Sequence, residues 1–421
     1  MAIALALFAV TYILMIMLPN KRLIVVACSA AMFIAAGILP LHKLLGSVDW
    51  NVLMMLAGTM VTVALFIDSR MPARLADLLL RMAPNTLWVV VILSLFAGVI
   101  SAFVDNVATV LMVAPVGLAI AKKLNISPVS MLICIAVSSN LQGAATLVGD
   151  TTSILLGGYA GMDFLDFIFM DGKPSIFWAV ELGAVVTVPV IMWLFRKEKQ
   201  PVHAEEVAGV SDYFPTFLLL ANIGGLIGAS FWSGKTANTN GIICLSVAAI
   251  GLLYTLLLRR KPEVVKEALR SVDLTTIGLL ACLFLVIAGI TEAGVITAIS
   301  DLFVRFGGGN LFLMYSLIVW GSVICSAFVD NIPYVATMLP VVSSIAATMG
   351  CNPYVLYFGL LCGATLGGNL TPIGASSNIA AIGILKREGY EVKTTDFMRI
   401  GIPFTLAAVL CGYIFCWIVW A

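Results

Sequence analysis

Ser101-Ala-Phe-Val-Asp-Asn-Val-Ala-Thr-Val-Leu-Met-Val-Ala-Pro-Val116 has a related copy later in the chain, and this pair determines how the sequence is divided. The second copy, Ser326-Ala-Phe-Val-Asp-Asn-Ile-Pro-Tyr-Val-Ala-Thr-Met-Leu-Pro-Val341, lies 225 residues later and is identical at nine of sixteen positions. Gly143–Ile154 aligns with Gly368–Ile379 at the same spacing. Two matched blocks at one spacing indicate an internal duplication.

Each copy places an Asp-Asn pair, and then a Gly-rich polar run, inside apolar sequence. That combination is typical of interrupted membrane helices around a transport site. The chain is 61% hydrophobic and 11% charged, whereas soluble domains carry about 25% charged residues. Composition therefore predicts an all-α polytopic membrane protein embedded in a lipid bilayer. The net charge of +1 gives no indication of nucleic-acid binding.

The apolar runs divide the chain into two repeats of five transmembrane spans and one re-entrant hairpin each. The predicted boundaries are a first repeat at 1–195 (hairpin 87–121, broken helix 128–160), a linker at 196–212, and a second repeat at 213–421 (hairpin 311–348, broken helix 354–384). Because five is odd, the second repeat enters the membrane from the opposite side. The prediction is two inverted repeats whose broken helices meet near the membrane midplane.

The distribution of basic residues predicts the orientation. With both termini outside, 19 of the 23 Lys and Arg residues fall on the cytoplasmic side, as does the linker around His203. Cytoplasmic loops of membrane proteins carry such an excess of positive charge. Lys122 and Lys123 fall inside only if the segment before them is a hairpin. We expect an integral protein of a prokaryotic plasma membrane.

Polar residues in the breaks are the candidate site, because non-helical backbone at membrane depth must be buried in protein or line a cavity. An intramembrane carboxylate is a functional candidate by default, although Asp is also a good helix cap. The predicted ion- and substrate-binding residues are Asp105, Asn106, Thr146, Asp150, Thr151, Thr152, Asp330, Asn331, Asn369, Thr371, Ser376, Ser377 and Asn378. A carboxylate near the end of a broken helix can bind H⁺ or Na⁺, and carbonyl groups of the unwound backbone complete the shell of a cation. A Na⁺ site is predicted at Asp105, Asn106, Asp150 and Asn331.

Asp150 is the carboxylate expected to carry the exchanged H⁺ or Na⁺. Asp105 and Asp330 are equivalent in the duplication, whereas the equivalent of Asp150 is Ala375. We further expect Ser138–Ser153 and Ala364–Asn378 to be unwound. The two hairpin tips should bring Asn106 and Asn331 to one cavity.

These paired motifs resemble the ion transporter superfamily, which contains ArsB-type arsenite permeases, NhaD-type antiporters, the P protein group, and citrate and divalent anion symporters. The tips Asp105-Asn106-Val107 and Asp330-Asn331-Ile332 differ from the Ser-Asn-Thr of the dicarboxylate branch. Gly149-Asp150-Thr151-Thr152 is similar to the NhaD type, whereas the run from Gly368 to Asn378 is closer to the arsenite and P protein side. The resemblance implies a homodimer that works by an elevator motion.

The predicted function is a secondary active transporter that moves arsenite, antimonite or another small inorganic anion, coupled to H⁺ or Na⁺. The alternatives are a Na⁺/H⁺ antiporter, a citrate or dicarboxylate/Na⁺ symporter and, from another class, a channel. An enzyme is not expected, because His42 and His203 lie in loops without ligand or triad partners. Nine scattered cysteines predict neither a disulfide framework nor a zinc site, and no cofactor is expected.

Overall fold

The computed structural model describes residues 1–124, 126–201 and 208–421, and nearly all elements in this part of the chain are helices. The first half contains α1 (Ala2–Met17), α2 (Arg22–Ala35), α3 (Leu44–Ser47), α4 (Trp50–Asp68), α5 (Met71–Leu80), α6 (Thr86–Ser101), α7 (Asn106–Lys123), α8 (Val129–Gly143), α9 (Thr151–Ala160) and α10 (Ile176–Leu194). Short 3₁₀ turns lie at Pro19–Lys21, Leu41–Lys43 and Leu165–Phe167. Strands β1 (Phe169–Met170) and β2 (Lys173–Pro174) form a small antiparallel hairpin between α9 and α10.

The second half repeats this order. It contains α11 (Phe214–Ser230), α12 (Thr239–Leu253, continued by the π-helix Tyr254–Leu258), α13 (Pro262–Arg270), α14 (Leu274–Glu292), α15 (Val295–Gly307), α16 (Leu311–Ser326), α17 (Asn331–Met349), α18 (Pro353–Gly367), the 3₁₀ turn Gly368–Leu370, α19 (Ser376–Arg387) and α20 (Thr394–Trp420). Equivalent helices also begin alike. Asp49 and Asp273 cap α4 and α14, and Asn85 and Asn310 cap α6 and α16, because their side-chain oxygens accept the first unpaired backbone N–H groups.

Seven helices of the described residues are long and apolar enough to cross a membrane, or up to eight if α15 and α16, bent by 117°, form one span. Five shorter apolar helices accompany them in the same residues: α1, α2, α6, α8 and α11. The protein is therefore an integral membrane protein with a largely helical fold. The inverted orientation of the repeats and the re-entrant course of the hairpins stay predictions.

The two halves pack into each other. Helix α4 packs against α12, α2 against α14, and α10 against α20. Within the halves, α6 packs on α8 and α16 on α18. Every residue from Met131 to Gly143 in α8 and from Val355 to Gly367 in α18 is buried, so these two helices form the centre of the molecule. Their C-terminal ends hold the breaks that the sequence predicts.

Surface ion pairs connect segments that the charge analysis assigns to the same side of the membrane. Lys43 pairs with Glu292 at 2.7 Å on the predicted outer side, where Lys235 also pairs with Asp163. On the predicted cytoplasmic side, Lys122 pairs with Glu388 at 2.5 Å and Arg259 with Asp212 at 3.5 Å. Exposed pairs of this kind contribute little stability. They nevertheless show which surface segments lie close together, and all four agree with the predicted topology.

Candidate functional site

The two predicted hairpin tips are short breaks, each with an aspartate at its end. Helix α6 ends at Ser101 and α7 begins at Asn106, while α16 ends at Ser326 and α17 begins at Asn331. Oδ2 of Asp105 accepts hydrogen bonds from the N–H groups of Val107 (3.0 Å) and Ala108 (3.1 Å). The Asp330 carboxylate accepts one from Ile332 at 3.2 Å. Both aspartates are thus N-caps, the structural role that the sequence left open for them.

The broken helices are interrupted over a shorter stretch than the sequence predicts. Helix α8 continues to Gly143, and only residues 144–150 separate it from α9; α18 continues to Gly367. The prediction that unwinding begins at Ser138 and at Ala364 is therefore wrong. Polar side chains in the last turns of α8 find partners on neighbouring elements without leaving the helix. The Ser139 hydroxyl, for example, donates to the Asn106 carbonyl at 3.0 Å.

A threonine joins each broken helix to the tip of its own repeat. The hydroxyl of Thr146 donates to the Ala102 carbonyl, and the hydroxyl of Thr371, 225 residues later, donates to the equivalent carbonyl of Ala327. These bonds satisfy two carbonyls that the breaks leave without helical partners. Tip and broken helix therefore form one connected unit in both repeats.

A network of buried amides connects the two repeats at the centre. The Asn106 Nδ2 donates to Asn140 Oδ1 at 3.0 Å, and the Asn140 Nδ2 lies 2.7 Å from the Thr365 carbonyl and 3.1 Å from Asn369 Oδ1. Asn369 in turn donates to the Val137 carbonyl at 3.0 Å. Sequence reasoning missed Asn140 and Thr365 as individual residues. The available signal was their spacing, because they are equivalent positions of the duplication.

A cavity of about 330 Å³, here called the tip cavity, lies between the breaks and helix α4. Its lining residues are Met60, Val63, Ala64, Ile67, Asp105, Asn106, Val107, Ala108, Leu111, Asp150, Thr151, Ser271, Asp273, Thr276, Asp330, Asn331, Ile332 and Ser376. Seven of the thirteen predicted site residues therefore reach one cavity. Asn106 and Asn331 are both among them, as predicted.

The other six predicted residues lie close behind this lining and are all buried: Thr146, Thr152, Asn369, Thr371, Ser377 and Asn378. The Thr152 hydroxyl donates to Asp150 Oδ2 at 3.0 Å and also lies 3.0 Å from the Thr365 hydroxyl. The Asn378 Nδ2 donates to the Gly368 carbonyl at 3.0 Å. These residues support the backbone of the breaks and the Asp150 carboxylate instead of facing the cavity.

Four carboxylates line the tip cavity: Asp105, Asp150, Asp273 and Asp330. Asp273 comes from the N-terminus of α14 and was not predicted as a site residue, although Ser271-Val272-Asp273 repeats Ser47-Val48-Asp49. In a medium of low dielectric constant, carboxylates in one cavity repel each other unless protons or cations compensate them. The arrangement therefore favours a cation or a proton in this cavity.

One guanidinium group reaches the site from a helix outside the breaks. Arg22 Nη1, at the start of α2, lies 2.7 Å from Asp330 Oδ2. No sequence pattern predicts this basic residue beside a hairpin tip, because Arg22 and Asp330 are 308 positions apart. In the described part of the chain, no three His, Cys, Asp or Glu residues lie close enough together to hold a metal ion. A Na⁺ ion here would need amide, hydroxyl or carbonyl oxygens besides a carboxylate.

Comparison with known proteins agrees with this description. A family model described as citrate transporter matches residues 12–356 and 241–421. An uncharacterized transporter of Mycobacterium tuberculosis is 30% identical over 431 residues, covering 99% of this chain and 98% of that protein. The human P protein is 25% identical over 87% of this chain and 53% of its own length.

Two solved structures share the fold. The YdaH transporter of Alcanivorax borkumensis aligns with a TM-score of 0.61 at 13% identity, over 89% of this chain and 87% of that one. MtrF of Neisseria gonorrhoeae, whose structure is described as illuminating a class of antimetabolite efflux pumps, aligns with a TM-score of 0.55 at 14% identity, over 96% and 85%. At these identities the likeness concerns the fold alone.

Proposed function

We propose that this chain, which belongs to the citrate transporter family of the ion transporter superfamily, moves arsenite, antimonite or another small inorganic anion. The chain is a secondary transporter in an integral membrane fold. Transport is coupled to H⁺ or Na⁺ bound by the carboxylates of the tip cavity. One observation carries the proposal: both repeats contribute aspartates and asparagines to a single cavity.

The charge of the cavity supports a cation as the coupling species. Four carboxylates line it and one guanidinium contacts it, so bound H⁺ or Na⁺ lowers the electrostatic energy of the site. Citrate carries three negative charges at neutral pH and would be repelled in proportion. Arsenite is largely protonated to uncharged arsenous acid at that pH and is therefore not repelled in this way. Its hydroxyl groups match the amide and hydroxyl groups of Asn106, Asn331 and Thr151.

The carboxylates differ in role. Asp105 and Asp330 hold the starts of α7 and α17 through their capping bonds. Asp150 precedes α9, is 5% exposed, and accepts a hydrogen bond from the Thr152 hydroxyl while lining the cavity. A carboxylate held in place but facing a cavity is suited to bind and release an ion in turn. We assign the exchanged H⁺ or Na⁺ to Asp150.

Na⁺/H⁺ antiport is the second candidate, and the surplus of carboxylates favours it. Such an antiporter needs no further substrate site, because H⁺ and Na⁺ compete for the same carboxylate. A citrate or dicarboxylate symporter is the third, in keeping with the description of the family. The negative charge of the tip cavity is the argument against it.

We further propose the alternating access that the family resemblance implies. In this elevator motion the hairpin tips and the broken helices move together as a unit. The Thr146 and Thr371 bonds, which tie each broken helix to its tip, are consistent with such a unit. A homodimer would supply the fixed frame against which the unit moves. A channel, in contrast, would require a continuous pore.

Transport by purified protein in proteoliposomes tests these candidates side by side. Vesicles with imposed pH or Na⁺ gradients are assayed for arsenite, Na⁺ and citrate movement, with protein-free vesicles as the control. Arsenite movement that follows the gradient supports the proposal, and Na⁺ movement that follows the pH gradient alone supports the antiporter. Citrate uptake would overturn both. Saturable counterflow distinguishes a transporter from a channel, which does not show it.

A further inference from the structure

A second cavity, here called the shaft cavity, faces α14 and has a volume of about 290 Å³. It is lined by Ser47, Asp49, Leu155, Tyr159, Phe284, Ile287, Ala288, Thr291, Ala336, Leu339 and Pro340. The hairpin tips do not contribute to this lining. By the charge analysis it lies toward the outer side, because Lys43 and Glu292 form their ion pair at the adjoining ends of the same segments.

The tip cavity has one wall on α4 and the shaft cavity has one wall on α14, and these two walls are equivalent in sequence. The wall of the tip cavity on α4 consists of Met60, Val63, Ala64 and Ile67. The wall of the shaft cavity on α14 consists of Phe284, Ile287, Ala288 and Thr291, each 224 residues later. The same spacing relates Ser47 and Asp49 in the shaft cavity to Ser271 and Asp273 in the tip cavity. The duplication has therefore produced two matching walls.

The opposite sides of the two cavities are not equivalent. Facing α4 are the tips and helix starts, with Asp105, Asn106, Asp150, Asp330 and Asn331. Facing α14 are the middle and C-terminal parts of α9 and the middle of α17, represented by Leu155, Tyr159 and Leu339. The molecule thus has two equivalent walls but one set of tips, which lies against the α4 wall only. Under the alternating access proposed above, the second wall is where the tips dock in the other state.

Arg22 breaks the equivalence between the two states. It lies on α2, which packs along α14, and its guanidinium holds Asp330 at the tip cavity. Phe33 of α2 faces Gly289, and Leu65 of α4 faces Gly251 in α12. Leu65 and Gly289 are equivalent positions of the duplication. Their contact partners, Gly251 in α12 and Phe33 in α2, are therefore equivalent as well, and this aligns α2 with α12.

That register makes Asn240 the equivalent of Arg22. An asparagine carries no charge and cannot form the corresponding ion pair with Asp105. In the other state no ion pair can form between the equivalent residues. The Arg22–Asp330 pair therefore stabilises only the state in which the tips lie against α4.

We infer that the Arg22–Asp330 ion pair is a latch that holds the second tip against the α4 wall, and that transport requires its rupture. The side chains of Arg22 and Asp330 are 23% and 15% exposed, so the pair is partly shielded from water. Such shielding strengthens the attraction relative to an exposed pair. Arg22 is in this sense a positioning residue that acts through Asp330. The inference rests on the alternating access proposed above.

Cross-linking with a matched pair of wall positions tests the latch. Ile332→Cys in the tip is combined either with Ala64→Cys on the α4 wall or with Ala288→Cys on the α14 wall. The two wall positions are equivalent alanines, so they differ only in the state that they report. Cross-linked peptides formed with a short bismaleimide in proteoliposomes are quantified by mass spectrometry, so that the native cysteines do not interfere. The readout is the ratio of the two yields.

Arg22→Gln should shift this ratio toward the α14 wall by about three- to tenfold, because a half-buried ion pair no longer favours the α4 wall. Asp330→Asn should give a similar shift, and the double variant should shift the ratio no further, because both changes remove one interaction. Arg22→Lys should retain most of the wild-type ratio. An unchanged ratio in both single variants, with the Ile332–Ala64 cross-link still formed, would overturn the latch.

The cross-linking ratio is independent of any transported substrate. A shifted ratio in a protein that moves none of arsenite, Na⁺ or citrate would refute the proposed function and support the latch. Transport with an unchanged ratio would refute the latch and leave the proposed function standing. A merely structural ion pair would lower the yield of both cross-links together and leave the ratio unchanged, which also counts against the latch.

Discussion

At the scale of single residues, Asp150 differs from the other carboxylates in the breaks because the duplication does not repeat it. Ala375 occupies the equivalent position before α19. The carboxylate is 5% exposed and receives a hydrogen bond from Thr152 at 3.0 Å. Its position at the start of α9 is thus fixed, while its charge remains available to the tip cavity.

We expect Asp150→Asn to abolish gradient-driven transport without unfolding the protein. The amide retains an oxygen that accepts from Thr152, but it cannot bind and release a proton, and it binds Na⁺ less strongly. Proteoliposome uptake at several pH values measures the effect. Glu181→Gln is the matched control, because Glu181 is an intramembrane carboxylate that contacts Gln142 at 2.9 Å and lies outside the cavity lining. Normal coupling in Asp150→Asn would assign the exchanged ion to another residue.

Asp105 should contribute to stability through its cap. Asp105→Ala removes the acceptor of the Val107 and Ala108 N–H groups, and loss of an N-cap costs about 1 kcal/mol. We expect a lower unfolding temperature in detergent for this variant. Asp105→Asn should unfold close to the wild-type temperature, because asparagine caps helices equally well. If Asp105→Ala unfolds at the same temperature as the wild type, the capping bonds do not contribute to stability.

At the scale of elements, the interruption of each broken helix depends on a glycine where two backbone segments approach closely. A Cβ atom on Gly149 would lie 2.5 Å from the Gly143 carbonyl oxygen, and one on Gly374 would lie 2.5 Å from that of Gly368. These are backbone contacts, which cannot rotate away as a side chain does. The identical arrangement in both repeats indicates that the geometry of the break, and not one local sequence, requires glycine.

Gly149→Ala and Gly374→Ala should therefore reduce the yield of folded protein and impair transport. Gly228→Ala is the control, because a Cβ at this position of α11 meets nothing within 4 Å. That control should be neutral or slightly stabilising, since alanine favours the helix over glycine by about 1 kcal/mol. Size-exclusion profiles and thermal unfolding of the three variants give the comparison. Wild-type behaviour of Gly149→Ala would mean that the break relaxes to accept a side chain.

The sequence predicts the positions of the breaks well because polar residues in an apolar chain have a local signature. Asp105, Asp150 and Asp330 could be found in this way. The extent of unwinding at Ser138 was wrong, because a polar residue remains helical when a neighbouring element supplies its partner. The Asn140 network and the Arg22–Asp330 pair join residues far apart in the chain. No local pattern encodes such contacts, so they required the three-dimensional structure.

At the scale of the whole molecule, the predicted topology rests on the distribution of charge. Nineteen of the 23 Lys and Arg residues are predicted to be cytoplasmic, and four ion pairs among the described residues each connect segments of one predicted side. Each ion pair brings two of the described segments to one side, while the positive-inside bias predicts which side is cytoplasmic. The two arguments are independent, because an ion pair is insensitive to the direction of insertion.

We expect a cysteine introduced at position 203 to react with a membrane-impermeant maleimide only after permeabilisation of the cells. This position lies in the predicted linker, outside the described residues. Lys235→Cys is the matched control and should react in intact cells, because Lys235 pairs with Asp163 on the predicted outer side. Labelling is followed at each peptide by mass spectrometry. Reaction of position 203 in intact cells would reverse the orientation. Reaction of both positions from the same side would place an even number of crossings between them, where the predicted topology has one, and that result would contradict the inverted repeats.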